Sequence, residues 1–484
     1  MRPARRSRRH LFALVALAVV VCVTLPTLPV AAAGRASCVR WVSPKGNDRW
    51  SGSSTKPWAT LRHAARRVPD DRCTVWFRDG VYKGFNHVER RFSTWTTFRA
   101  VHPYEAVFVS SSIALEIGPS ASHIVVQGLQ FHQTGPSATG DLVYVSGADS
   151  GTPAPSNIVL RDNVIHDAWG DDLLKIRSAA HDITVAGNVF YNQADNEQHI
   201  DVNGVTDVRI VGNIFFNDFG GSGRKDTRTT KHFIVVKDSN GKADGFLGSR
   251  RIWIERNVFL RWQGAKEALI GVGNDGMPYL EARQVHVLNN LMIGNGTDEA
   301  WTAFAVLGAA DVSFLNNTVV GNLPSGDYAM NVAIKDRNPR NRNVQFVNNI
   351  WDDPTGTMGT FSGGARADTK GLLLKRNLYW NGGKKIPGGD LLSPLRDDAQ
   401  RVVRDPRLRK DQRGIVLPYW KGTRFRSGNR TIHQEFLRLV RRFGAIPTGS
   451  PAVGKALMTF APTRDILGRL RGATADLGAY EAHG

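Results

Sequence analysis

The sequence is poor in the residues that mark several common classes of protein. It has three cysteines in 484 residues, too few for a disulfide-rich scaffold or a cysteine-based zinc protein. Proline is modest at 22 while glycine is frequent at 49, which indicates many turns rather than low-complexity tracts. The hydrophobic share of 41% and the charged share of 22% are typical of a folded protein and exclude wholesale disorder.

Residues 1–33 have the features of an export signal. Five arginines precede an apolar run from Leu11 to about Val23, and three alanines stand directly before Gly34. This order is typical of a cleavable secretory signal, and two prolines after the run make a membrane-spanning helix the weaker interpretation. We therefore predict a secreted, extracellular protein. The two cysteines that remain after cleavage, Cys38 and Cys73, are expected to form one disulfide.

The charge of the mature chain indicates the kind of partner it meets. Removing the signal leaves 58 Lys and Arg against 43 Asp and Glu, a net charge of +15. Such a charge favours polyanionic partners. Because an exported protein has little opportunity to meet a genome, we expect an acidic polysaccharide, no nucleic acid and, in the mature form, no membrane. We expect a monomer.

One short pattern recurs eight times and predicts the fold. Alternating apolar residues lead to an asparagine, and a further short run of mostly apolar residues follows it, with spacings of 25 to 44 residues between copies. The smallest repeat is too short for a four-stranded propeller blade, and the alternation excludes paired helices. The sequence therefore predicts an all-β protein, a right-handed parallel β-helix with roughly nine or ten coils. The shared asparagines are Asn163, Asn188, Asn213, Asn257, Asn290, Asn317, Asn349 and Asn377.

An asparagine in every coil has two physical reasons. A tight turn between strands needs a residue that tolerates the left-handed conformation. Asparagines stacked about 4.8 Å apart can also hydrogen-bond to their neighbours above and below.

The ends of the repeat predict the domain organisation. We expect the β-helix domain to comprise residues 34–383, with a helix after Pro57 that caps the first coil. Residues 384–484 form a C-terminal capping segment, and its 384–447 portion holds 16 Lys and Arg against 6 Asp and Glu. We expect a solvated basic tail that covers the last coil; a polyanion-binding arm is the alternative. Thr431 and Gln434 predict a capping box at the start of a helix.

Three stretches of the chain resemble known secreted proteins. They are the opening segment 41–48, the segment 79–82 and the C-terminal segment 475–481. On these residues the chain resembles the pectate-lyase-like superfamily, especially its polysaccharide lyase family 9-like members. The resemblance implies the parallel β-helix and a polysaccharide substrate. It implies no single reaction, because this architecture hosts lyases, epimerases, hydrolases and non-catalytic binders. No acidic run closely matches the calcium motif of the family 9 lyases.

The strand two steps before each asparagine turn is expected to line a groove. These strands are predicted at 141–146, 172–178, 199–204, 233–238, 267–273, 302–308 and 329–335. Alternation places apolar side chains such as Leu174, Ile200 and Ile334 inside. The side chains predicted to point outward are Tyr144, Lys175, Arg177, His199, Asp201, Asn203, Lys237 and Lys335.

This groove could cleave a polyuronate by β-elimination, which removes the C5 proton and expels the sugar oxygen at C4. The reaction needs a base and positive charge that neutralises the uronate carboxylate. We assign Lys175 as the base, if neighbouring cations or burial lower its pKa, and Arg177 as the carboxylate clamp. His199 with Asp201 offers another base. The expected substrate-binding residues are Tyr144, Asn203, Lys237 and Lys335.

Acidic residues before two of these strands suggest a metal site. Asp171 and Asp172 precede one strand, and Asp195 and Glu197 precede the next. Carboxylates about 5 Å apart repel unless a cation lies between them, so calcium is the expected cofactor. Three alternatives stay open: a C5-epimerase, a non-catalytic wall-binding protein, and a glycoside hydrolase that draws two carboxylates from Asp172, Glu197 and Asp201.

Overall fold

The protein winds into the predicted right-handed parallel β-helix, in which successive coils build three parallel sheets of ten, twelve and twelve strands. The computed structural model describes residues 38–147, 152–224, 229–294, 296, 298–323, 326–412 and 414–482. The predicted export signal lies outside these described residues. Within them, no helix is both long enough and apolar enough to cross a membrane.

The three sheets are named here by their order within a coil. The ten strands of the first sheet are Asn86–Val88, Leu115–Ile117, Val143–Ser146, Leu174–Arg177, Ile200–Asn203, Ile234–Lys237, Ala268–Val272, Thr302–Leu307, Asp327–Ala333 and Thr360–Gly364. The twelve strands of the second sheet are Val39–Val42, Thr74–Phe77, Arg91–Ala100, Ser122–Gln127, Ser156–Arg161, His181–Ala186, Thr206–Val211, Ser249–Glu255, Ala282–Leu288, Ala309–Leu315, Asn341–Val347 and Thr369–Lys375. The twelve strands of the third sheet are Gly80–Lys83, Ala106–Ser110, Gln130–Gln133, Val164–His166, Val189–Tyr191, Ile214–Phe216, Val258–Leu260, Leu291–Gly294, Thr318–Gly321, Ile350–Asp353, Leu378–Asn381 and Val402–Val403.

The core follows from the period-two alternation of apolar residues. Leu174 and Ile200 are fully buried, as predicted, and pair directly across neighbouring strands. Aromatic rings stack in the same way: the ring centroid of Phe215 lies 5.1 Å from that of Phe190 and 4.8 Å from that of Phe259. Like residues therefore repeat at the same place in successive coils, which fixes the register of the strands.

The shared asparagines form a buried hydrogen-bond ladder between the second and third sheets. In Asn188, the backbone N–H and Nδ2 both donate to Oδ1 of Asn213, at 2.8 and 3.0 Å, and Nδ2 also donates to the carbonyl of Leu160 at 2.9 Å. The same bonds link all eight asparagines, and Nδ2 of Asn377 donates to the carboxylate of Asp398 at the end. The predicted stacking is confirmed.

The left-handed conformation belongs to a different residue than predicted. It is adopted by the residue directly before each ladder asparagine, for example Asp162 with φ 55° and Arg256 with φ 54°. The ladder asparagine itself is not among the residues with positive φ. Its place in each coil is therefore explained by the hydrogen bonds of its side chain.

Both predicted features near the N-terminus are present. Helix Leu61–Arg67 begins at Thr60, whose side chain accepts from the backbone N–H of His63, and it buries Leu61, Ala64 and Ala65 against the first coils. Cys38 and Cys73 form the expected disulfide.

The C-terminal segment covers more of the molecule than its last coil. Leu391 and Leu392 close the core at the last coil, and strand Val402–Val403 extends the third sheet. The rest returns along the outer face of the third sheet. Helix Ile432–Leu439, with the predicted capping box and a final turn Val440–Gly444, packs there, and the ring centroid of Trp420 lies 4.7 Å from that of Tyr104 in an early coil. We name residues 404–482 the C-terminal belt. The remaining short helices are Gly220–Ser222, Arg366–Asp368 and Pro394–Asp397.

Candidate active site

Outward side chains of the first sheet stack in register along the axis of the β-helix. Lys175 pairs with Asp201 on the next strand, and Tyr144 pairs with Lys175 from the preceding strand. One step along the same strands, Arg177 pairs with Asn203. Aligning the asparagine turns of the sequence predicts these pairs, because a constant turn length keeps the strands in register.

Lysines and carboxylates meet at the centre of this row. Nζ of Lys175 lies 3.1 Å from Oδ2 of Asp172 and 3.2 Å from Oδ2 of Asp201. Nζ of Lys237 lies 3.7 Å from the same Asp201 oxygen and 3.3 Å from Oδ1 of Asp275. Asp172 and Asp201 are fully buried, whereas both lysines keep part of their side chain in solvent.

We name this group the carboxyl–lysine cluster. Its members are Asp141, Asp172, Lys175, Glu197, Asp201 and Lys237.

The two lysines are fixed as ammonium ions. Burial alone would lower the pKa of Lys175, but the carboxylates of Asp172 and Asp201 outweigh it and hold the pKa well above its ordinary value. Burial and the carboxylates of Asp201 and Asp275 act in the same way on Lys237, whose pKa is also raised. The assignment of Lys175 as a base required a lowered pKa. Because its pKa is raised instead, Lys175 does not meet this requirement.

Three carboxyl groups of the cluster also have a raised pKa, which in their case favours the neutral form. Burial, and then the neighbouring carboxylate of Asp172, raises the pKa of Asp141 to about 8. Burial, with the carboxylates of Asp172 and Asp171, likewise raises the pKa of Glu197 to about 8. Burial and Asp201 raise the pKa of Asp172 to about 6. At neutral pH the cluster thus combines protonated and ionised carboxyls, which is the arrangement that acid–base catalysis uses.

Glu197 and Asp141 differ in accessibility. Glu197 is half-buried, and in the described part of the chain its carboxyl has no hydrogen-bond partner. Asp141 is buried, and its Oδ1 accepts from the backbone N–H of Asp172 at 3.3 Å. Glu197 is therefore the carboxyl of raised pKa that a bound chain could reach.

Two acidic residues of the site, Asp141 within the cluster and Asp275 beside Lys237, were not predicted from the sequence. Asp141 begins the predicted strand one coil before Asp172, so the alignment that stacked Lys175 on Asp201 could have found it. Asp275 follows a strand of the first sheet, within a loop whose path the repeat does not determine.

The prediction that His199 points outward is wrong. The strand begins one residue later, at Ile200, and the imidazole turns into the core, where its centroid lies 4.8 Å from that of Phe233. Its Nε2 is 2.8 Å from Oδ1 of Asn217, and burial lowers the pKa of His199 to about 3. The ring is neutral and closed off from the groove.

Asp171, Asp172 and Glu197 lie near one another, but in the described part of the chain the four residues predicted to hold calcium do not form a metal site. The carboxylate of Asp172 is occupied by Lys175, and Asp195 is an exposed residue whose charge acts on Arg224 instead. Across the described ranges, no three His, Cys, Asp or Glu side chains are arranged to hold a metal ion. The ammonium group of Lys175 lies between Asp172 and Asp201, and the residues present do not fit a calcium ion.

The other predicted residues occupy the edges of the cluster. Tyr144 is half-buried beside Lys175, and Nε of Arg177 donates to Oγ of Ser178 at 3.0 Å. Nδ2 of Asn203 donates to Oγ of Ser239 at 2.7 Å.

Two residues predicted within a later strand lie beyond its end. The strand finishes at Ala333, so Lys335 lies in the following turn. Ile334, predicted to be inside, is 37% exposed.

Comparison with known proteins supports the fold alone. Protein-family models and curated proteins give no match to the sequence. Among solved structures, pectate lyase Pel9A is 13% identical with a TM-score of 0.55, covering 93% of this chain and 97% of that one. A PL6 family alginate lyase, AlyGC, is 14% identical with a TM-score of 0.48, covering 81% and 59%. A rhamnogalacturonan lyase is 14% identical with a TM-score of 0.48, covering 70% and 87%. The chain therefore has the parallel β-helix fold of pectate lyase Pel9A.

Proposed function

We propose that this protein is an enzyme that cleaves a uronate-containing polysaccharide by β-elimination at the carboxyl–lysine cluster. The observation that carries the proposal is the accessible carboxyl of Glu197, whose pKa is raised to about 8 in the same cluster as the ammonium group of Lys175. The fold is that of pectate lyase Pel9A, and the cluster lies on the first sheet, where we place the sugar chain. The export predicted from residues 1–33 would bring the enzyme to extracellular polysaccharide.

The roles differ from those predicted from the sequence. Glu197, once ionised, takes the C5 proton of the uronate, and a carboxylate of pKa about 8 is a stronger base than an ordinary one. The C5–H electron pair forms the C4–C5 double bond, the C4–O bond breaks, and the leaving oxygen takes up a proton. Lys175, Lys237 and Arg177 supply the positive charge that stabilises the uronate carboxylate as the enolate-like state develops. A C5-epimerase would share the proton abstraction and return the proton to the other face.

A second function, glycoside hydrolysis, is favoured by a carboxyl of raised pKa that has a second carboxyl group in the same cluster. Glu197 is protonated at neutral pH, as a general acid must be. Asp201 lies between the ammonium groups of Lys175 and Lys237, at 3.2 and 3.7 Å. In this mechanism Glu197 protonates the leaving oxygen, and Asp201 is the second carboxyl group.

The experiment separates the two reactions by their products. The mature protein is incubated with polygalacturonate, alginate and neutral glucans, and ultraviolet absorbance is followed together with reducing ends. Elimination creates a conjugated unsaturated sugar, so absorbance and reducing ends rise together. Reducing ends without absorbance would contradict elimination and support hydrolysis. Neither signal on any polymer would contradict both, and binding without cleavage would become the first interpretation.

Two further measurements test the role of Glu197 and whether cleavage requires calcium. Glu197→Gln should abolish cleavage, whereas the matched variant Asp195→Asn, a change to an exposed carboxyl nearby, should retain it. A chelator should leave the rate unchanged, because Lys175 and Lys237 already supply the positive charge. Loss of activity with chelator, restored by calcium, would contradict this role of the lysines.

A further inference from the structure

Basic side chains form a row across the second sheet, on a different face from the carboxyl–lysine cluster. Arg250 pairs with Arg283 on the next strand, and Arg342 pairs with Lys370 two strands further on. Ala310 stands between the two pairs. We name Arg250, Arg283, Arg342 and Lys370 the basic row. With strands about 4.8 Å apart, the row extends about 19 Å along the axis.

The charges of this row are not neutralised by nearby acids. Arg283, Arg342 and Lys370 are exposed, and among the described residues none of them forms an ion pair. Arg250 lies over the ring of Phe246, with its guanidinium carbon 4.6 Å from the ring centroid. Like charges directly opposite each other on neighbouring strands destabilise a sheet. Two such pairs in one row therefore indicate a role other than stability.

The end of the row that contains Lys370 borders an open cavity. Arg340, Arg342, Asn343 and Lys370 line it, and its volume is about 520 Å³. Nδ2 of Asn343 donates to Oδ1 of Asp311 at 2.8 Å, so that neighbouring carboxylate already has a partner. Three cations face one solvent-filled space, which suits an anionic group.

Aromatic rings lie beside the other end of the row. Trp253 and His286 are half-buried, on the same strands as Arg250 and Arg283, and their ring centroids are 5.7 Å apart. A half-exposed indole gives a flat apolar surface next to the cations. Positive charge that repeats from coil to coil, with a stacking surface beside it, matches an extended polymer with a regularly repeated negative charge.

We propose that the basic row is a second, non-catalytic binding site for an acidic polysaccharide chain lying along the axis of the β-helix. The choice of a sugar polymer over a nucleic acid rests on the proposed function, whereas binding itself does not depend on turnover. Such a site would hold the enzyme on its polymer while the first sheet acts on another stretch of chain.

The test is affinity electrophoresis of the full protein in gels containing polygalacturonate, with dextran as the neutral polymer. The triple variant R340Q/R342Q/K370Q should weaken retardation by polygalacturonate about tenfold, and salt should weaken retardation of the unaltered protein. The matched control R424Q/R426Q/R430Q removes the same charge from exposed positions of the C-terminal belt and should change retardation less than twofold. Equal loss in both variants, or none in the first, would contradict the proposal.

Three further measurements distinguish a loss of binding at the basic row from a loss of the proposed catalytic activity and from a loss of folding. Cleavage of a short soluble oligouronate should be the same in both variants, because the cluster is untouched. In the absence of polymer the melting temperature of R340Q/R342Q/K370Q should equal or exceed that of the unaltered protein, because like-charge repulsion is removed. Retardation by polyphosphate or DNA with none by polygalacturonate would contradict a sugar polymer as the partner.

Discussion

Replacing one asparagine of the ladder should strongly destabilise the β-helix. The side chain of Asn257 makes four hydrogen bonds: Oδ1 accepts from the backbone N–H and Nδ2 of Asn213, and Nδ2 donates to the carbonyl of Ile210 and to Oδ1 of Asn290, all at 2.9 to 3.0 Å. A buried hydrogen bond contributes about 1 kcal/mol, and a buried group left without a partner costs about 1–3 kcal/mol more. Asn257→Ala should therefore lower the free energy of unfolding by about 4–6 kcal/mol.

Chemical denaturation followed by circular dichroism measures this loss, and an exposed asparagine provides the control. Asn47 precedes the first helix and accepts one bond, from the backbone N–H of Arg49, so Asn47→Ala should change the free energy by less than about 0.5 kcal/mol. If Asn257→Ala lowered the free energy of unfolding by less than about 1 kcal/mol, the ladder would not be a main source of the stability of the β-helix.

Two further predictions concern the N-terminal cap and the charge of the cluster. Cys38 and Cys73 are 35 residues apart, so Cys73→Ser should lower the free energy of unfolding by about 3–4 kcal/mol in the chain-entropy model, and an unchanged denaturation midpoint would contradict this. The raised pKa of Asp141 means that the folded chain holds a proton which the unfolded chain releases above its ordinary pKa of 3.8. Stability should therefore fall as the pH rises from about 4 through about 8, and denaturation series at several pH values should show a shallower fall for Asp141→Asn; an equal fall would exclude this carboxyl as the cause.

The fold was predictable because its signal repeats. Each copy of the pattern has the same alternation and the same asparagine. A coil whose own pattern is ambiguous can therefore be assigned by comparison with the other coils. The register that places Lys175 against Asp201 follows from that repetition. The left-handed conformation was assigned to the ladder asparagine, one residue too late. Asparagine both tolerates this backbone conformation and forms hydrogen bonds through its side chain. The sequence alone does not say which of the two properties the turn requires.

The candidate site was less predictable because it depends on where strands begin and how loops end. The side chain of His199 was predicted to point outward because the alternation was extended to the residue before the strand. The strand begins at Ile200, and the imidazole packs beside Phe233 in the core. Asp171 and Asp195 precede strands in sequence, yet loop geometry decides which carboxyls meet. Lys175 was correctly placed in the groove, but its pKa depends on two buried carboxylates whose distances no pattern gives.

The C-terminal belt shows a different limit. Its basic composition suggested a tail on the last coil, but apolar residues such as Phe436 and Leu439 pack it against the third sheet. The partners of these residues lie in strands spread over many coils, and only the folded chain brings them together.

The role of Glu197 as the base is tested most directly by the pH dependence of the absorbance rise on polyuronate. If Glu197 is the base, the rate must increase as the pH rises through about 8, because the carboxyl has to lose its proton first. The rise should vanish in Glu197→Gln and persist in Asp195→Asn. Cleavage without absorbance whose rate falls through the same pH, or full activity in Glu197→Gln, would contradict the account.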